Sequence, residues 1–215
     1  MARRVLSDQA FAGFPPAVFD LFRVPDFTER MALLRSEATP RLWALGEALT
    51  GDLSHIAGEP LYPHVAMHMR RRVNPPDDTW VAWGRSLRGY KAVIHFEVGV
   101  SAQGTFARLV IKSEGQAEKP RLLDRVTPEQ LHEWARRGPL FWYRDDHGEG
   151  PLPLAGVTAE LWPALRAHAL KAVNSIAVGS DIPRAEAVQF GPAVRDRLLD
   201  RLAMLAPLYH LTRSE

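Results

Sequence analysis

The chain has 215 residues, 46% hydrophobic and 24% charged, the size and balance of one soluble domain able to bury its own core. It holds no cysteine, which excludes a disulfide framework, a thiolate metal site and a cysteine nucleophile. A formal net charge of +2 argues against a polybasic nucleic-acid protein, and the positive charge is mostly arginine, with lysine only at positions 91, 112, 119 and 171.

The opening MARRVLSDQAFAGF has no apolar run behind its arginines, so no signal peptide is expected. No stretch approaches the ~18 uninterrupted apolar residues of a spanning helix. A cytoplasmic setting with no membrane partner is the expectation. Residues 14–24 read as a short helix opened by proline. Residues 27–57 read as helical, with Phe27, Met31, Leu34, Leu42, Leu45 and Leu49 at helical spacing. Thr39-Pro40 either starts a second helix there or kinks the first. Gly58 is a stop.

From 62 to about 112 the period becomes two. Val65, Met67 and Met69 alternate with His64, His68 and Arg70, which predicts a strand over 62–70. Asn74-Pro75-Pro76-Asp77 is a turn, Thr79–Trp83 a short strand, and 86–89 a second turn. Ile94, Phe96, Val98 and Val100 alternate with His95 and Glu97. A break at Gln103-Gly104 leads into TFARLVIK. These make four consecutive strands, an antiparallel meander whose apolar face carries Val65, Met67, Ile94, Phe96 and Val98.

Residues 117–138 return to helix, with Thr127 as cap and Pro128 in the first turn. Leu140–Arg144 reads as a short aromatic strand, 145–153 as a Gly/Pro-rich loop, and 158–171 as a helix. Residues 175–178 suit another strand. A last helix over 192–210 shows Leu198, Leu199, Leu202 and Leu205. The fold class expected is α+β: one domain, an antiparallel sheet packed with helices.

Functional side chains concentrate in LYPHVAMHMRRRVNPPDDTWVAWGRSLRGYKAVIHFE, residues 61–97. On a strand His64 and His68 share a face but stand about 13 Å apart at ~3.3 Å per residue, too far to share an ion. No metal site is expected. Arg70 and Arg72 fall on the same face, an arrangement suited to phosphate or carboxylate. The plainer reading pairs them with acids such as Asp77 and Asp78. Asn74 sits in a rigid turn that either positions a ligand group or only fixes register. Arg88-Gly89-Tyr90-Lys91 joins cations to an aromatic ring, and Trp80 lies between. His95 and Glu97 share a strand face as a candidate acid–base pair, although a buried structural pair is commoner. Asp145-Asp146-His147 offers oxygen ligands without the spacing of a calcium loop. There is no P-loop, GxGxxG or GxSxG.

The run from Tyr62 to Gly99 resembles the YktB-like family of uncharacterised bacterial proteins. The match falls on Tyr62, His64, His68, Arg70, Arg71, Asn74, Pro75, Pro76, Asp78, Thr79, Trp80, Arg88, Gly89, Tyr90, Lys91, His95 and Phe96. It extends to FAGFPPAVFDLF, LGEAL and LAPLYHL, and is weakest over 113–170. The resemblance implies a cytosolic bacterial α+β domain and brings no established activity.

Three functional readings stay open. The first is a binding site for an anionic ligand (a nucleotide, phosphorylated metabolite or nucleic acid) on a cationic sheet face. His68, Arg70, Arg72, Asn74, Trp80, Arg88, Tyr90 and Lys91 would form it. The second is a hydrolase or transferase using His95 or His64 as base, oriented by Asp78 or Glu97. The third is a structural or interaction protein. No cofactor and no oligomeric state is specified.

Overall fold

The computed structural model describes residues 10–69 and 71–213. Arg70, expected on the cationic face, lies outside the described residues. The helical elements are α1 (Pro16–Asp20), α2 (Phe27–Leu33), α3 (Thr39–Ala57), α4 (Glu118–Leu123), α5 (Pro128–Ala135), α6 (Trp162–Ala169), α7 (Arg184–Phe190), α8 (Val194–Ala203) and α9 (Ala206–Leu211). The strands are β1 (Tyr62–Val65), β2 (Asp78–Gly84), β3 (His95–Ser101), β4 (Gly104–Ile111), β5 (Phe141–Tyr143), β6 (Leu152–Pro153) and β7 (Ile176–Pro183). Among the described residues no helix is long and apolar enough to cross a membrane.

The strands form one sheet in the order β1-β2-β3-β4-β7-β5-β6, with every neighbouring pair antiparallel. The expected meander is its first four strands. β7 then inserts between β4 and β5, and its length exceeds the 175–178 segment read from sequence. Each edge strand contains a proline, Pro63 in β1 and Pro153 in β6.

One sheet face is apolar. Val81, Trp83, Phe96, Val98, Leu109 and Val178 share a core cluster with Leu42, Leu45 and Leu49 of α3 and with Leu198 and Leu202 of α8. The helices expected over 27–57 and 192–210 thus cover it, as α3 against β1 and β2 and α8 against β4 and β7. Trp83 donates its indole N–H to Gly46 O at 2.9 Å, so even the largest ring there leaves no orphan donor.

At Thr39-Pro40 the helical path is not broken: the chain stays in right-handed helical conformation from α2 through a π turn into α3. Residues Leu34–Ala38 form a π turn directly ahead of it. Pro40 has no N–H for the carbonyl four residues back, and the wider turn removes the clash its ring would make there. Thr39 donates both its backbone N–H and, at 2.9 Å, its hydroxyl to Leu34 O, which ties the turn together. The cap at Thr127 also holds: Thr127 and Gln130 form a reciprocal capping box.

Several boundaries differ from the sequence reading. The strand expected over 62–70 ends at Val65, because His68 has φ 48°, a left-handed conformation that stops the ladder. Met67 therefore leaves the apolar face and is 50% exposed, whereas Val65, Ile94, Phe96 and Val98 are core residues as expected. The helix over 117–138 divides into α4 and α5. The last helix divides before α9, since Pro207 sits in the first turn of α9 and cannot continue α8. α7 was not anticipated.

Candidate functional site

The second sheet face is polar at its centre. Period-two alternation that buries Phe96 and Val98 on the helix side sends His95 and Glu97 to the other side. The same alternation along the run through β4 sets Arg108 and Lys112 there. Two small apolar clusters frame them: Ala66, Trp80, Ala82, Tyr90 and Phe106, and Val110, Tyr143 and Ala177.

Lys112 is the hub. Its ammonium lies 3.0 Å from Glu97 Oε1 and 2.5 Å from Asp146 Oδ2, and 4.3 Å from the centre of the Trp80 ring. Burial alone would lower its pKa, but the two carboxylates outweigh burial and hold the group charged, above the ordinary lysine range. Burial pushes Glu97 upward; Lys112 and His95 prevail and hold it below its ordinary value. For Asp146, burial is likewise overcome, by Lys112, His147 and the Ser175 hydroxyl, and the carboxyl sits well below the usual range. His95 is fully buried, with Nε2 3.0 Å from Glu97 Oε1 and Nδ1 2.7 Å from Val93 O. Glu97 Oε2 is buried and meets no donor among the described residues.

Above this floor opens a cleft of about 1070 Å³. Its aromatic wall is a chain of edge contacts. Trp80 Nε1 donates to Tyr90 Oη at 3.0 Å, the His68 ring stands edge-on to Trp80 at 5.4 Å, and Tyr90 stands edge-on to His95 at 4.8 Å. Burial pushes the Tyr90 hydroxyl up to about 12 and takes His68 down to about 4, so His68 is neutral at pH 7. His68 Nε2 pairs with Thr79 Oγ1 at 3.1 Å, and His64 Nε2 with Ser86 O at 2.9 Å. Arg71, Arg88 and Lys91 line the cleft, with Glu114 3.4 Å from Lys91.

The loop between β5 and β6 closes one end of the cleft. His147 Nδ1 lies 3.0 Å from Asp78 Oδ2. That hydrogen bond, together with the Asp78 charge, raises the imidazole to about 9 against the opposing effect of burial. Beyond His147 lies a second cavity of about 550 Å³. There the Arg108 guanidinium is held between the rings of Phe106 and Tyr143, at 4.0 and 4.5 Å, and pairs with Asp181 at 2.9 Å. Gly148, at φ +91°, lets the loop pass this guanidinium, where a Cβ would collide with it.

The structure gathers His64, His68, Trp80, Arg88, Tyr90 and Lys91 around the cleft. Asp78 lines the second cavity, and its partner is His147 rather than His64 or His95. Arg72 and Asn74 are exposed and lie away from the cleft walls. His95 lies beneath the floor. Sequence reasoning passed over Lys112 and Ser175, and weighed Asp146 and His147 only as ligands of a calcium loop whose spacing they lack. For Lys112 the available signal was a lysine two positions beyond Val110 in a strand-like run, since lysine is rarely buried unpaired.

A fold of this kind, with its polar face roofed by a loop, defines an α+β domain with a prepared cleft. Residues 14–209 match the family model described as "Domain of unknown function (DUF1054)". A UPF0637 protein of Staphylococcus carnosus is 32% identical over 194 residues, covering 89% of this chain and 95% of that protein. A UPF0637 protein of Bacillus velezensis is 40% identical over 108 residues, and one of Macrococcus caseolyticus 42% over 104. In these two alignments the chain spans about half the length of the relative, 51% in each case. The chain belongs to the DUF1054 family, and the resemblance read from residues 62–99 pointed to it.

Proposed function

We propose that the cleft binds a small ligand carrying an anionic group, a phosphate or carboxylate. One observation carries this reading: Arg71 and Arg88 line the cleft and neither meets a carboxylate among the described residues. The interior charges are committed elsewhere, Lys112 to Glu97 and Asp146. The rim arginines are therefore the groups left to receive an anion, and guanidinium suits bidentate contact with phosphate or carboxylate. Trp80 and Tyr90 are each only 8% exposed, which disfavours a strand of nucleic acid stacking on them.

Thermal shift with phosphate, nucleotides and phosphorylated metabolites tests this. A ligand at 100 times its Kd adds about 2.7 kcal/mol to stability. Arg88→Ala should abolish the shift with the fold intact, while Arg72→Ala, away from the cleft, should keep it. Absence of any shift from this panel, or a shift that survives Arg88→Ala, overturns the proposal.

A second reading, a hydrolase or transferase, is supported by the His147–Asp78 pair rather than by His95. With Nδ1 held by Asp78 and the ring raised to about 9, His147 at neutral pH is a proton donor. Turnover of p-nitrophenyl phosphate that disappears in His147→Gln would support it. No turnover in the wild type argues for binding alone.

A further inference from the structure

Resting on the anion reading, we infer that the ligand of the cleft is an anionic amphiphile: a phosphate or carboxylate head joined to an aliphatic chain. The observations concern what else surrounds the arginines. Met67, Met69 and Val173 line the cleft while 50%, 77% and 84% exposed, and Leu87, beside Arg88, is 70% exposed. The three lining residues come from two separate segments, 66–69 and 173–175, so the apolar rim belongs to no single helix face or strand. Exposed aliphatic groups converging on a concave mouth signify a surface that is covered in use. Methionine is suited to it, because its unbranched thioether adapts to a chain of variable shape.

The chemistry of the wall selects a chain over a planar base. The Lys112 ammonium sits over the Trp80 ring, His68 meets Trp80 and Tyr90 meets His95 edge to face, and His64 lies tilted against Tyr90 at 5.7 Å. Trp80 and Tyr90 are left only 8% exposed each, whereas the aliphatic Met67, Met69 and Val173 are half exposed or more. Charge selects an anion over a cation: Arg71, Arg88 and Lys91 stand at the mouth, and of the acids lining the cleft Glu114 is paired with Lys91 and Asp146 with Lys112. The shared head-group chemistry also occurs at a bilayer surface. A recess of about 1070 Å³ fits a single molecule drawn inside it, and the occupant assigned here is the monomer.

Calorimetric titration with butyl, hexyl, octyl and decyl phosphate, each below its micellar concentration, tests the inference. Inorganic phosphate, octyltrimethylammonium and phosphatidylglycerol vesicles complete the panel. Affinity is expected to rise with chain length by two- to fourfold per methylene, the upper value being the ~0.8 kcal/mol of a buried CH₂ converted to a ratio. The triple variant Met67→Ser, Met69→Ser, Val173→Ser should flatten that dependence and keep the response to phosphate. These side chains are exposed, so the fold should tolerate the change. Arg88→Ala should weaken every alkyl phosphate by a similar factor.

A flat chain-length series with phosphate still bound sinks this inference and leaves the anion reading intact. Silence from every alkyl phosphate sinks this inference, and the anion reading falls with it when nucleotides and phosphorylated metabolites give no thermal shift either. Equal binding of octyltrimethylammonium, or chain-length dependence that survives the triple variant, shows unspecific adsorption and overturns it. So does binding to vesicles without binding to monomers.

Discussion

At Lys112 two carboxylates share one buried ammonium. Such a group of charges is strongly destabilised when one partner is removed, because the rest are left buried and uncompensated. Lys112→Met should cost about 3–5 kcal/mol, read as a lower urea midpoint at unchanged m. An unchanged midpoint would show that the network contributes nothing net. Two histidines give opposite pH signatures. His147 is raised to about 9, so the stability it adds is complete below ~6.5 and is lost as pH rises through about 9. His68 is lowered to about 4. Its unfolded ring takes a proton near 6.5 while the folded ring does not, so stability falls as pH drops from ~6.5 to about 4. In melts at pH 6 to 10, the gap in Tm between wild type and His147→Gln should close toward pH 10. A gap constant across that range contradicts the Asp78 pairing. Of these residues, the His95–Glu97 pair was legible because strand alternation puts i and i+2 on one face. Lys112 and Asp146 were not, because they are joined across 34 residues and nothing local encodes that meeting.

The loop between β5 and β6 is the element that turns a sheet face into a cleft. Its attachments include Asp146 to Lys112 and Ser175, His147 to Asp78, Arg108 to Asp146 O and His168 to Arg144 O. Gly148→Ala puts a Cβ on a left-handed residue and against the Arg108 guanidinium. It should destabilise by on the order of 1–3 kcal/mol and expose 145–151 to proteolysis. Unaltered stability and cleavage would mean the loop relaxes without cost. The elements that the sequence disclosed are those with their own signals. β2 to β4 alternate clearly, and α5 opens on a capping box. β7 reads as a short apolar run, and its place between β4 and β5 is a long-range pairing without a local mark. The early end of β1 depends on one left-handed histidine inside an alternating pattern, so periodicity alone carries the strand too far.

Across the molecule the two sheet faces differ in chemistry. The face under α3 and α8 is a continuous apolar core, and Phe96 is 0% exposed within it. Phe96→Ala should cost about 3–5 kcal/mol by urea unfolding. Arg88→Ala on the other face should stay within about 0.5 kcal/mol while removing ligand response. Comparable losses from both would mean that the rim also carries the fold.

The prolines at the two ends of the sheet bear on what happens between molecules. An open strand edge is a template for another chain, because its unpaired N–H and C=O groups point outward in register. Pro63 and Pro153 each delete one donor from the outermost strands, and β6 is only two residues long. A neighbouring molecule therefore finds an interrupted row on either side. Restoring the donors with Pro63→Val and Pro153→Val should leave the monomer folded and shorten the lag of thioflavin-positive aggregation on warming. At equal melting temperature, an unchanged lag would place the protection elsewhere.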